Sequence, residues 1–258
     1  MQLKDRVAIV TGAGRGLGQA FALGLAGAGA HVVVTSRTQK DVDQVAAKIK
    51  TIGRRALAVR VDVSDAGSIQ DLVAQALKEF GTVDILINNA GICTPFREVV
   101  DLPVEEWDRT FNTNLRATFL CSKAVLPIMT RNRYGKIINI AAGVVDERVH
   151  VGMSPYCASK AGVVNFTRQL AAEVRRFGIN VNAIDPGAVR TSMAEQFEVS
   201  EETTHWLMKQ QTVDEERRFR SPEEIVPILI FLASDESHAM NGRFLQVSSG
   251  DSPKYLQL

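Results

Sequence analysis

No stretch of this chain is apolar for long enough to cross a membrane, which takes about 20 consecutive apolar residues. The N-terminus passes from Met1 straight into the strand-like Val7-Ala8-Ile9-Val10, without an apolar leader core or a small-residue cleavage site. An excess of one charge is also missing, since 30 Lys and Arg face 29 Asp and Glu for a formal net charge of +1. Nothing therefore draws the chain electrostatically toward nucleic acid or an anionic membrane. The basic residues Arg217, Arg218 and Arg220 interrupt an acidic run and read as a solvated helix face. The cysteines are three, Cys93, Cys121 and Cys157, scattered among apolar or small neighbours; this excludes a disulfide framework and fits buried thiols in a reducing compartment. His31 and His150 have no clustered partners, so no metal site is expected. No internal repeat, low-complexity tract or Pro/Gly/Ser linker divides the chain. These absences lead to the expectation of a cytoplasmic protein without metal, nucleic-acid or membrane partners.

What is present is rhythm. In 258 residues, 45% of them hydrophobic, short β-branched runs alternate with longer segments of helical periodicity. Strands are expected at 6–11, 31–36, 56–61, 83–88, 135–141, 179–184 and 243–247, and helices at 17–28, 40–52, 66–80, 106–131, 156–177 and 222–233. That alternation predicts an α/β, single-domain, doubly wound parallel seven-stranded sheet of Rossmann type. Residues 191–221 break the rhythm, carrying Met193, Phe197, Trp206 and Met208 among many charges. They follow strand six at the edge where open α/β sheets bind ligands and read as a substrate lid, with an edge-packed helical hairpin as the alternative.

Two motifs carry chemistry. After the first strand comes Thr11-Gly12-Ala13-Gly14-Arg15-Gly16-Leu17-Gly18, whose glycines Gly12, Gly16 and Gly18 suit a turn that lets backbone approach a pyrophosphate at a helix N-terminus. Far downstream, Tyr156 and Lys160 are four residues apart and share one face of a helix. A phenol with a pKa near 10 holds its proton too firmly to act as a base at neutral pH, and a nearby cation favours the phenolate. The pair is thus a candidate acid/base for moving a proton on or off a substrate oxygen.

The loop matches the Thr-Gly-x-x-x-Gly-x-Gly pattern, and Asn88-Asn89-Ala90-Gly91, Asn114, Tyr156 with Lys160, and Asp185-Pro186-Gly187 follow in order. Over nearly its whole length the chain resembles the short-chain dehydrogenase/reductase family. The resemblance implies an oxidoreductase with a small-molecule alcohol or carbonyl substrate and a homotetramer packed through the helices at 106–131 and 156–177. It implies that Lys160 also bonds the nicotinamide ribose and that Asn114 holds a water linking that lysine to solvent. Asp62, beside Val63, is similar to the residue that meets the adenine amino group, while Asn89, Ala90 and Gly91 wall the adenine side. Pro186, Gly187, Val189 and Thr191 flank the nicotinamide, the last two touching its carboxamide.

Charge selects the dinucleotide. Strand two ends Val34-Thr35-Ser36-Arg37, without the carboxylate that accepts the ribose hydroxyls of NAD. Arg37 can clamp a 2′-phosphate and Arg15 can approach from the other side, so NADP(H) is expected, with NAD(H) as the alternative.

One member of the family's catalytic set is missing. Its serine falls on Ala142 when read from Asn139-Ile140-Ala141-Ala142-Gly143, or on Gly143 when counted back from Tyr156, and neither carries a hydroxyl. Loss of such a donor typically costs about 10²–10³ in rate. Three explanations stand: a variant form that lacks its serine, a site that borrows Ser154, Thr94 or a water, or a protein that has abandoned chemistry. The first predicts that Ala142→Ser raises turnover with little change in cofactor affinity. Asp185 also replaces a more usual neutral residue, and Val247-Ser248-Ser249-Gly250 departs from the family's Asp-Gly-Gly ending. The charged loop Asp146, Glu147, Arg148 and His150 points to a small polar secondary alcohol or ketone. The rivals are a catalytically silent dinucleotide-binding sensor or scaffold, and a related lyase, epimerase or dehydratase.

Overall fold

The computed structural model describes residues 1–94, 96–143, 152–191 and 220–247. The lid expected at 191–221, apart from its ends, lies outside them, as do Asp146, Glu147, Arg148 and His150 and the ending Ser248-Ser249-Gly250.

Seven strands form one parallel sheet: β1 (Val7–Val10), β2 (His31–Ser36), β3 (Ala56–Arg60), β4 (Ile85–Asn88), β5 (Gly135–Ile140), β6 (Ile179–Asp185) and β7 (Phe244–Gln246), in the order β3-β2-β1-β4-β5-β6-β7. Helices cover both faces, so the strands are apolar on both. Ala8, Val10, Val32, Val34, Ile85, Ile87 and Ile184 point to one core, where they meet Phe21 and Leu25 of α1 (Gly16–Gly27), Val45 and Ile49 of α2 (Gln39–Thr51), and Leu229 and Leu232 of α7 (Val226–Ala233). The alternate residues Ile9, Val33, Leu86, Ile137 and Val181 build the second core with Ile69 and Leu72 of α3 (Ala66–Phe80), Val125 and Met129 of α5 (Ala117–Asn132), and Leu170 and Val174 of α6 (Ser154–Val174). The period-2 alternation of a strand thus feeds both layers.

The order reverses between β1 and β4, where chains leave the sheet in opposite directions and open a crevice. The expected helix at 106–131 is in fact α4 (Val104–Phe111), a π turn over Asn112–Arg116, and α5. The one expected at 222–233 opens with a 3-10 turn, Pro222–Ile225, closed by a capping box between Ser221 and Glu224. No helix among the described residues is long and apolar enough to cross a membrane.

Candidate active site

The glycine loop is fixed by a neighbour rather than by itself. Thr11 N donates to Ile87 O at 3.0 Å, and the Thr11 hydroxyl accepts from the amides of Asn89 and Ala90, each at 3.0 Å. Asn89 Nδ2 returns to Thr11 O at 2.9 Å and Gly12 O at 3.2 Å. The end of β4 therefore clamps the end of β1 across the crevice. Gly12 has φ +64°, and a Cβ on it would come within 2.9 Å of Ala90 Cα; no other residue fits that turn without strain. A Cβ on Gly18 would collide with Gly12 O. Arg15 precedes α1 in an extended conformation and no side chain caps the helix, which leaves its N-terminal amides and dipole for an anion. These features fit a dinucleotide pyrophosphate.

At the end of β2, Ser36 Oγ bonds Thr38 within the turn, while Arg37 and Arg15 are exposed. Asp62 is held below the usual carboxylate range by the Ser64 hydroxyl and amide, with the charge of Arg37 adding to the effect. Val63 beside it is buried. Sequence reasoning missed Asp41: a Cβ on Gly14 would lie 2.8 Å from Asp41 Cβ and 3.0 Å from Ser36 Oγ. The signal was its place in the first turn of α2, four residues past Arg37.

On the other side of the crevice, Asn114 is 1% exposed and sits in the π turn. Its Oδ1 accepts from Ile92 N at 2.8 Å, and its Nδ2 donates to Ile92 O at 2.9 Å and to Ser159 Oγ at 3.0 Å. Ser159 Oγ in turn donates to Tyr156 O at 2.8 Å. Lys160 is 5% exposed; its Nζ donates to Ile140 O at 2.7 Å and lies 5.8 Å from the Tyr156 ring centroid. A Cβ on Gly91 would sit 3.3 Å from Asn114 Oδ1 and 3.4 Å from Lys160 Nζ. Tyr156, Lys160, Asn114 and Gly91 are thus one cluster at the C-terminal edge of the sheet.

The electrostatics differ from the sequence expectation. Burial pushes the Tyr156 phenol above its ordinary value, and Cys93, Asp185 and Cys157 push in the same direction. Burial also pulls the Lys160 ammonium down to about 8, against the upward pull of Cys93 and Asp185. Desolvation outweighs pairing here: both groups are deeply buried, and the ammonium bonds the Ile140 carbonyl. Without cofactor, Tyr156 is a phenol at neutral pH, not a phenolate.

Beyond β5, Ala142 is half-buried. Gly143 has no room for a side chain, since a Cβ would lie 2.5 Å from Asp185 Oδ2. Asp185 ends β6, is 7% exposed, and accepts from Gly187 N at 2.8 Å. Pro186 and Gly187 turn the chain, Val189 bridges to Arg220, and the Thr191 methyl comes to 3.4 Å from a Cβ on Gly16. The segment after β6 therefore closes over the glycine loop. No group of three or more metal-ligating side chains occurs among the described residues.

A family model described as short chain dehydrogenase matches residues 6–202. The subunit BbsD of (2S)-[(R)-hydroxy(phenyl)methyl]succinyl-CoA dehydrogenase from Thauera aromatica is 36% identical over 252 residues, covering 98% of both chains. Gluconate 5-dehydrogenase from Gluconobacter oxydans is 37% identical, covering 94% of this chain and 93% of its own. The crystal structure of levodione reductase superposes with a TM-score of 0.88 at 32% identity, over 98% of this chain and 100% of that one.

Proposed function

This chain belongs to the short-chain dehydrogenase/reductase family and is a nicotinamide-dependent oxidoreductase of CH–OH and C=O groups, and from that premise we propose that it interconverts a small polar secondary alcohol and its ketone with NADP(H). The observation that carries the reading is the cluster of Tyr156, Lys160 and Asn114 on the same edge of the sheet as a helix N-terminus that no side chain caps. The dinucleotide, when bound, supplies the hydride donor or acceptor.

The chain's own residues do the rest. Gly12, Gly16, Leu17 and Gly18 present amides to the pyrophosphate, Asp62 and Val63 receive the adenine, and Asn89, Ala90 and Gly91 wall it. Ser36, Arg37 and Arg15 hold the 2′-phosphate, and Pro186, Gly187, Val189 and Thr191 flank the nicotinamide. Lys160, held by Ile140 O, orients the ribose, and Asn114 ties the Ile92 backbone to Ser159 next to it in the helix. Tyr156 moves the proton on or off the substrate oxygen, against the upward shift that burial imposes on its phenol in the cofactor-free protein. The relative named for gluconate oxidation supports a small, polyhydroxylated substrate. The same reading includes a cytoplasmic homotetramer packed through α5 and α6.

Nicotinamide absorbance followed over a panel of small ketones tests this. Turnover is expected with NADPH, and Tyr156→Phe is expected to abolish it while NADPH still binds. Asp41 places a carboxylate in the corner assigned to the 2′-phosphate, so parallel titrations decide the cofactor, and tighter binding of NADH would remove the role given to Arg37. The absent serine at Ala142 favours one second reading, a silent dinucleotide sensor. Binding without turnover across the panel, even in Ala142→Ser, would select it.

A further inference from the structure

Both positions that align with the expected serine lack a hydroxyl, yet two hydroxyls, one just beyond the β4 motif and one two residues before Tyr156, lack a partner among the described residues. Thr94 is 2% exposed and its Oγ1 makes no hydrogen bond among the described residues. Ser154, the first residue of α6, has an Oγ equally shut off from solvent and equally unpaired. Native proteins retain few buried polar atoms in this condition, and each one asks for a ligand or a role.

The two hydroxyls belong to one seam. Arg97 N donates to Gly152 O at 3.0 Å, and a Cβ on Gly152 would touch Phe96 Cβ at 3.2 Å. At the other end, Cys157 helps to raise the Cys93 thiol. The chain beyond β4 therefore runs beside the start of α6, with Thr94 and Ser154 between those two contacts and Tyr156 two residues further along the helix. Cys93, next to Thr94, bears in turn on both Tyr156 and Lys160.

We propose that Thr94 and Ser154 form the oxygen-binding subsite of this enzyme, their hydroxyls donating to the carbonyl oxygen of the substrate in place of the missing serine. The inference rests on the oxidoreductase reading of the same site. A hydroxyl donates one hydrogen bond and a carbonyl oxygen accepts two, so the pair saturates one ketone oxygen. The Asp185 carboxylate, whose field reaches Tyr156 and Lys160, disfavours an anionic group there, which makes the ligand a neutral carbonyl and not a carboxylate.

Thr94→Val, Ser154→Ala and the double variant test it in the full chain, with two readouts that must agree. For turnover, each single change is expected to lower kcat/KM about tenfold and the double change about 10²–10³-fold, with NADPH affinity unchanged. Adding Ala142→Ser to the double variant is expected to recover part of the loss. For stability, removing a buried hydroxyl that has no partner until substrate arrives is expected to raise the melting temperature of the cofactor-free protein. A double variant as active as the parent would overturn the proposal, and so would a melting temperature that stays or falls, because the hydroxyls would then be partnered already. A parent inactive toward every ketone fails the oxidoreductase reading instead, and the melts still decide whether the two hydroxyls are unpaired.

Discussion

Lys160 is a buried cation whose ammonium is pulled down to about 8 from an ordinary 10.5, which makes its charge a burden on the cofactor-free fold. Below pH 8 it is protonated in both folded and unfolded chains, and the full penalty, on the order of 3 kcal/mol, is present. Between pH 8 and 10.5 the unfolded chain binds a proton that the folded one does not, so this contribution to stability improves as pH rises. Lys160→Met removes the penalty but leaves Ile140 O without its donor, a loss of about 1–2 kcal/mol. Urea denaturation of the apoprotein is therefore expected to show the methionine variant more stable than the parent at pH 7, with the advantage gone by pH 10.5; a variant less stable at pH 7 contradicts the assignment. Asp185 acts at the same scale in the opposite sense, raising both Tyr156 and Lys160. Asp185→Asn is expected to move the ionisations of the pH–rate profile to lower pH, and an unmoved profile would place its carboxylate outside the working cluster. Tyr156, Lys160 and the oddity of Asp185 were all legible in the sequence, because spacing and residue type suffice to see them. The balance of desolvation against pairing was not, since it depends on how deeply the fold buries the ammonium, and neither was the contact of Asp185 with Gly143, which exists only because β5 and β6 are neighbours.

Among the elements, the π turn at Asn112–Arg116 shows where local pattern stops being informative. The apolar periodicity of 106–131 supports one continuous helix, and α4 and α5 do continue each other through the turn. The widened turn accompanies a tertiary demand: Asn114 spans to the Ile92 backbone and Ser159 at once, and π turns of this kind cluster at functional sites. Strands fared better, since β2 matches its expected range and β3 and β5 differ from theirs by a single residue at the C-terminal end; a β-branched run between turn residues leaves little freedom. The seam between α6 and the end of β4 yields an element-scale prediction. A Cβ on Gly91 would press on Asn114 Oδ1 at 3.3 Å and Lys160 Nζ at 3.4 Å, two side chains from two different helices that are each held by other bonds. Gly91→Ala should displace the ammonium by a few tenths of an ångström, and small misplacements of catalytic groups are costly. Turnover is expected to fall about tenfold with circular dichroism and melting temperature nearly unchanged, whereas full activity would show that the cluster tolerates the wedge.

For the molecule as a whole, alternation of strands and helices announced a doubly wound sheet, but the order β3-β2-β1-β4-β5-β6-β7 is a property of pairing that no single segment encodes. That order places the ends of β1, β4, β5 and β6 side by side, which is why residues as distant as Gly12, Gly91, Lys160 and Asp185 share one rim. It also leaves α5 and α6 side by side on one layer with an aromatic ridge turned outward. Phe119 is 43% exposed, packs edge-on against Phe166 at 6.2 Å, and lies under Lys123 Nζ at 5.7 Å. An exposed aromatic backed by a second ring is the kind of anchor that concentrates interface energy, so the proposed tetramer should depend on it. Light scattering after gel filtration is expected to give the parent about four times the 28.2 kDa chain mass. Phe119→Asp places a charge at the ridge without touching either core, and should lower that mass to the dimer or monomer while the far-UV spectrum is retained. A parent that elutes as a monomer removes the tetramer, and a variant of unchanged mass moves the interface away from α5.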